Sequence, residues 1–260
     1  MDLKLKDKVI VVTGGAQGIG AAIVEACCAE GAIPVIVSRR SDAGTELHSQ
    51  LERDGMVSEL IEVELAVPEN CQRAVQHTVQ KFGRIDALVN NAGVNDKVGL
   101  EEGSPARFLE SLHSNLLHYY CMAHYALAYL KASRGSIVNI ASKTALTGQG
   151  GTSGYAGSKG AILALTREWA VELLAYDVRV NAVIPAEVMT PLYRDWLASF
   201  PDPEEKLTHI LSKIPLGRRM TRTDEIAAMV MFLISAKAGH ITGQHLVVDG
   251  GYVHLDRALT

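Results

Sequence analysis

Six short apolar runs punctuate this chain, and between them apolar residues recur at three- and four-residue steps. The runs are VIVV at 9–12, PVIV at 34–37, ALV at 87–89, SIVNI at 136–140, VRVNAVI at 178–184 and HLVV at 245–248. Runs this short and this rich in Val and Ile predict buried strands. Ile19, Ile23, Ala26 and Cys27, and further on Ala74, Val75, Thr78, Val79 and Phe82, predict helices with one buried stripe. Strands buried on both faces, each followed by a helix, close most readily as a parallel sheet, because a parallel connection must cross over the sheet. The expected fold class is therefore α/β, a doubly wound parallel sheet with helices on both faces. With 260 residues, 48% of them hydrophobic and 21% charged, the chain can bury the core of one such domain over 1–260. It carries no repeat, low-complexity tract or linker. One stretch breaks the alternation: PAEVMTPLYRDWLASFPDPEEKL, after the strand ending at Ile184, adds turn signals and a small helix before Thr223 starts another. An insertion after a strand's carboxyl end is where a substrate lid sits, here at about 186–215.

Charge narrows the partners. With 25 basic and 29 acidic residues and a pI near 6.1, there is no broad attraction for nucleic acid or an anionic membrane. Cys27, Cys28, Cys71 and Cys121 form neither a CxxC pair nor a metal-ligand spacing, so buried free thiols, no metal and a reducing cytoplasm are expected. The N-terminal lysines precede only VIVV and then glycines, which predicts no signal peptide and no membrane span.

The first strand runs into TGGAQGIG at 13–20 and then a helix. A helix N-terminus offers unpaired N–H groups and the positive end of its dipole, and glycine lets a pyrophosphate approach the backbone. Gly14, Gln17, Gly18, Ile19 and Gly20 are the candidates. The spacing is GxxxGxG rather than the GxGxxG fingerprint, so a tight turn with glycines for packing is the competing reading. At the end of the second strand, where NAD-binding folds often place an acid for the adenosine ribose, the chain has Ser38, Arg39 and Arg40. A guanidinium can clamp a 2′-phosphate that a carboxylate would repel, so NADP is preferred and NAD possible. Asp42 works against that preference, and arginines at such places are often simply solvated.

TSGYAGSKGA at 152–161 clears away bulk around one phenol and one ammonium, Tyr155 and Lys159. Four residues apart on a helix, the two share a face. A tyrosine titrating near ~10 needs its pKa lowered by ~2–3 units to act as a base near neutrality, and an adjacent lysine with a bound nicotinamide cation is the expected source. Out of context such a pair is an ordinary surface contact.

Context comes from several motifs in order: TGGAQGIG at 13–20, NNAG at 90–93, Asn115 in HSNLL, IVNIAS ending at Ser142, YAGSK at 155–159, IPAEVMT at 184–190 and VDGG at 248–251. Together they resemble the short-chain dehydrogenase/reductase family over essentially the whole chain. That resemblance implies a Rossmann-type fold and a nicotinamide coenzyme. It also implies a catalytic set in which Tyr155 is the acid/base, Ser142 orients the substrate oxygen, Lys159 lowers the phenol pKa and holds the ribose, and Asn115 supports a proton-relay water. It further implies cofactor contacts from Asn91, Ala92, Gly93, Glu64, Leu65, Pro185, Val188 and Thr190. Three positions depart from the family pattern: Glu64-Leu65 stands where an Asp is usual, Ala186 replaces a glycine, and Ser38 replaces the ribose acid.

The whole chain, and especially the insertion and the tail VDGGYVHLDRAL, resembles the bacterial branch of the family that oxidises the anomeric hydroxyl of L-fucose to a lactone. Asn95, Lys143, Gln149 and Glu187, with Ser142, are the candidates to meet a sugar's hydroxyls, and Trp196 or Met189 its apolar edge. Hydroxysteroid or 3-oxoacyl-thioester chemistry is the enzymatic alternative, and a non-catalytic dinucleotide sensor the alternative of another kind. Membership implies a homo-oligomer, commonly a tetramer, with the helices around Asn115 and Tyr155 between subunits.

Overall fold

The computed structural model describes residues 2–255; the end of the tail stretch, 256–260, lies outside the described residues. Seven strands form one parallel sheet: β1 (Val9–Thr13), β2 (Ile33–Ser38), β3 (Glu59–Glu62), β4 (Ala87–Asn90), β5 (Ser136–Ile140), β6 (Arg179–Pro185) and β7 (His245–Val248). Their order is β3-β2-β1-β4-β5-β6-β7. The six expected strands are present. β3 was not among the apolar runs, because its ELIE buries only Ile61 at the sheet edge.

Helices α1 (Gly18–Ala29), α2 (Asp42–Arg53), α3 (Pro68–Phe82), α4 (Pro105–Leu112), α5 (His118–Ser133) and α6 (Ser153–Glu172) follow successive strands. The pleat sends alternate strand residues to opposite faces. Val9, Val11, Val35, Val37, Leu88 and Ile137 join one core with residues of α3, α5 and α6, such as Val75, Met122 and Ile162. Ile10, Val12, Ile36, Val89, Val138 and Ile140 join the other, with Ile23, Val24 and Cys27 of α1 and the last helix, α9 (Thr223–Ile234). All four cysteines are free and buried, and burial pushes the thiols of Cys28 and Cys71 up to about 11 and about 12.

Between β6 and α9 the insertion holds two helices rather than one, α7 (Pro191–Ala198) and α8 (Pro203–Ser212). Each starts with Pro at its first position, where no N–H is needed, behind a capping side chain: Thr190 accepts from Tyr193 N at 3.2 Å and Asp202 from Glu205 N at 2.9 Å. The insertion has its own apolar centre of Leu197, Ile210, Ile214 and Met220. It leaves and returns at one place, where Val188 bridges Thr221 and Thr221 N donates to Glu187 O at 3.0 Å. No helix of the described residues is long and apolar enough to cross a membrane.

Candidate active site

The strand order turns at β1, which lies between β2 and β4, so the loops leaving their carboxyl ends diverge and open a crevice. Thr13 ties two of these loops together. Its Oγ1 accepts from Asn91 N at 2.8 Å and Ala92 N at 3.1 Å, while Asn91 Nδ2 donates back to Thr13 O at 3.0 Å and Gly14 O at 3.2 Å. The glycines follow from this packing. Gly14 has φ +62°, and a Cβ on Gly20 would sit 2.1 Å from Gly14 O. A Cβ on Gly18 would meet Thr190 Cγ2 at 3.3 Å, which brings Thr190 against the same loop. Gln17 starts α1 without a side-chain cap, and the first turn of α1 carries no acid. The orphan N–H groups and the positive helix end therefore suit a pyrophosphate. Ile19 is half-buried against the α1 core.

At the outer end of the crevice Ser38 is buried and donates to Arg39 O at 3.1 Å, while Arg39 and Arg40 are exposed. Glu64 is exposed, its Oε1 accepting from Ala66 N at 3.1 Å. Leu65 packs in the core, and its carbonyl accepts from Cys71 Sγ at 3.4 Å, so its side chain does not face the crevice. On the other side Pro185 and Val188 are buried, and Ala186 has no positive φ, so alanine in place of glycine brings no backbone strain there.

The four expected catalytic residues converge below this crevice. Asn115 sits in a π-helical turn, His113–Leu117, a rare local geometry concentrated at functional sites. It is fully buried, with Oδ1 accepting from Val94 N at 2.7 Å and Nδ2 donating to Ser111 O at 3.1 Å. A Cβ on Gly93 would lie 3.2 Å from Asn115 Oδ1 and 3.6 Å from Lys159 Nζ, so only a bare backbone fits comfortably between them. Ser142, just past β5, accepts from Thr144 N at 3.2 Å and Thr144 Oγ1 at 3.1 Å. Both bonds bring donors to its oxygen, leaving its own proton to point at Tyr155 or a substrate oxygen. Lys159 Nζ lies 5.6 Å from the centre of the Tyr155 ring.

The electrostatics differ from the expectation that Lys159 lowers the phenol. Burial pushes Tyr155 up, and the hydrogen bond with Ser142 pulls it part of the way back. Lys159 is itself 2% exposed, and burial takes its ammonium down to about 7. Two buried ionisable groups each favour the neutral form, so helical spacing alone does not make a base. A nicotinamide coenzyme, when bound, supplies the hydride acceptor and the additional positive charge.

The expected substrate residues divide. Lys143 and Glu187 form an ion pair with side chains only 13% and 8% exposed, and Lys143 Nζ also sits 4.5 Å above the Tyr252 ring. Tyr193 of α7 joins them, with its buried hydroxyl against the Glu187 carboxylate: burial first and that carboxylate second push its phenol up. Trp196 stacks edge-on between Tyr193 and Phe200, at 5.0 Å and 4.9 Å. Met189 packs against the same insertion cluster. Asn95 is half-buried and turned to Lys97 N at 3.3 Å, while Gln149 is exposed on the loop before α6. Tyr193 and Tyr252 were missed in the sequence. The latter is set by VDGG, where Asp249 accepts from Gly251 N and Val253 N, both at 2.7 Å, and turns the tail towards Lys143.

Residues 14–253 match the family described as enoyl-(acyl carrier protein) reductase, a short-chain dehydrogenase/reductase branch. The chain belongs to the short-chain dehydrogenase/reductase family. It is 38% identical to an L-fucose dehydrogenase of Bos taurus over 252 residues, 96% of this chain and 91% of that protein. It is 34% identical to the 3-oxoacyl-[acyl-carrier-protein] reductase FabG of Thermotoga maritima over 256 residues, 96% of this chain and all of that one. The crystal structure of the dehydrogenase Cj0485 superposes with a TM-score of 0.94 at 48% identity, covering 100% of this chain and 99% of that one. The protein is thus an oxidoreductase that acts on CH–OH groups with a nicotinamide cofactor.

Proposed function

We propose that this short-chain dehydrogenase oxidises the anomeric hydroxyl of a sugar, L-fucose in the first instance, to the 1,5-lactone, with NADP preferred over NAD. The observation that carries the sugar reading is the buried Lys143–Glu187 pair, which starts one residue after Ser142, with the buried Tyr193 hydroxyl against Glu187. Charged and hydroxyl groups buried in this way are poor neighbours for an apolar substrate, whereas a ring bearing several hydroxyls can hydrogen-bond to them. The likeness to L-fucose dehydrogenases supports the same choice.

In this reading Tyr155, as phenolate, takes the proton of the anomeric hydroxyl while Ser142 donates to that oxygen. Lys159 holds the ribose and stabilises the charge on the phenol, and Asn115 keeps the Val94 turn in place beside it. Gly14, Gln17, Gly18, Ile19 and Gly20 bind the pyrophosphate, Arg39 and Arg40 the 2′-phosphate, and Asn91, Ala92, Gly93, Pro185, Val188 and Thr190 flank the remainder. The insertion, pinned at Val188 and Thr221, closes over the sugar as a lid. The apolar surface left at Phe108, Leu109 and Tyr120 supports assembly through α4 and α5 into a homo-oligomer, a tetramer by family likeness.

The test is a panel of aldoses, hydroxysteroids and 3-hydroxyacyl thioesters, each with NADP and with NAD, followed by absorbance of the reduced coenzyme. L-Fucose, with D-arabinose weaker by about 1–3 kcal/mol for the lost methyl, is the expected result. A far higher kcat/KM for a thioester would favour the reductase reading that the FabG likeness supports.

A further inference from the structure

Lys159 has no carboxylate within ion-pair distance among the described residues, yet it is buried. Its ammonium is held instead by a phenol from another helix. Lys159 Nζ donates to Tyr119 Oη at 2.9 Å and to Ile140 O at 2.7 Å, and Tyr119 Oη donates to the same Ile140 O at 2.9 Å. Tyr119 is completely buried. It stands one helical turn after Asn115, while Ile140 ends β5 two residues before Ser142. One hydroxyl thereby joins the three elements that carry Asn115, Ser142 and the Tyr155–Lys159 pair.

We propose that Tyr119 is a positioning residue of the catalytic centre: with the Ile140 carbonyl it holds the Lys159 ammonium where a counter-ion would otherwise be needed. An ammonium has three N–H groups, and two are committed to these acceptors, which leaves one for a bound ligand. The inference rests on the reading that Lys159 serves Tyr155 and the coenzyme. The titratable groups facing Lys159 are Tyr155 on its own helix and Tyr119 and His118 on α5. None of them carries negative charge at neutral pH, so the loss of an acceptor falls on the ammonium directly.

Tyr119→Phe removes one oxygen and keeps the ring. The ammonium then loses its proton more readily, Tyr155 loses part of its positive neighbour, and the phenol ionises at higher pH. Expected are a roughly tenfold drop in kcat/KM for oxidation near neutral pH, recovery towards wild type in alkali, and a profile midpoint raised by at least about half a unit. Replacing Tyr119 by 3-fluorotyrosine, a weaker acceptor of nearly the same shape, should move the midpoint the same way by less, and it keeps the test intact if the phenylalanine variant folds poorly. Coenzyme binding, read by fluorescence of the reduced dinucleotide, gives an arm independent of turnover. Tyr119→Phe should weaken binding several-fold when Lys159 is present and have no effect in a Lys159→Met background. A uniform loss of rate with an unmoved midpoint, or equal loss of binding in both backgrounds, would reduce Tyr119 to a packing residue. Failure of every sugar as substrate would instead strike the proposed function and leave the binding arm standing.

Discussion

Replacing Lys143 by methionine separates what the buried ion pair does for the fold from what it does for a substrate. The Glu187 residue is 6% exposed and its carboxylate pairs with Lys143 Nζ, whose side chain is 13% exposed. Methionine fills much of the volume of lysine but leaves that carboxylate without a counter-ion in a site too dry to solvate it. Removing one partner of a buried pair costs about 3–5 kcal/mol, whereas replacing both by apolar groups of similar size is close to neutral. Loss of the contact with the Tyr252 ring adds about 0.5–1 kcal/mol. In a chain of this size 1 kcal/mol corresponds to roughly 2–4 °C in Tm, so Lys143→Met should lower Tm by about 10 °C. The double variant Lys143→Met/Glu187→Leu should recover most of that. Turnover of the sugar should stay lost in both, because the hydroxyl partners are gone. The assay is thermal unfolding by circular dichroism alongside kcat/KM at saturating coenzyme. A single variant with unchanged Tm would show that Glu187 needs no counter-ion there, and a double variant that turns over sugar like wild type would remove the pair from substrate binding.

Tyr155→Phe should leave the circular dichroism spectrum and coenzyme binding nearly intact while taking turnover below a few per cent of wild type, since only the acid/base hydroxyl is lost. Arg39→Ala should raise the KM for NADP about tenfold or more, the equivalent of the roughly 1.5–3 kcal/mol of a charge-assisted contact, with little change for NAD; equal KM changes for both would make the arginine mere surface charge. His118 is held neutral by burial, its pKa taken down to about 4 from an ordinary 6.5. Between those values the unfolded chain binds a proton that the folded chain does not. Stability should therefore fall as pH drops from about 6.5 to about 4, by on the order of 3 kcal/mol, and be constant in this term below. His118→Phe should flatten that limb in urea unfolding measured across pH.

The strands that could be read from sequence are those buried on both faces, where the apolar run is continuous: β1 is VIVVT and every residue of it is buried. β3 escaped because an edge strand with one buried residue has the composition of a loop. The two insertion helices left legible marks, TP at 190–191 and DP at 202–203, which set a capping side chain before a first-position proline. Motif order located Asn115, Ser142, Tyr155 and Lys159, because those positions are tied to strand ends and to one helical face. The partners across the sheet were illegible. Lys143 meets Glu187 from 44 residues away and Tyr119 meets Lys159 from 40, distances set by strand order rather than local spacing. For the same reason burial, which pushes the Tyr155 phenol up and the Lys159 ammonium down before coenzyme binds, was not legible: i,i+4 spacing gives the neighbour, while burial of both groups is a property of the assembled crevice.

Isotope transfer reports on which carbon loses the hydride, the anomeric one in the proposed reaction. L-Fucose deuterated at carbon 1 would be incubated with the protein and oxidised NADP, and both products analysed by mass spectrometry. The reduced coenzyme should gain one mass unit, and L-fuconolactone, or the acid it hydrolyses to, should be free of deuterium. Unlabelled reduced coenzyme, or a product that retains the deuterium, would place the oxidation at another carbon and rule out lactone formation.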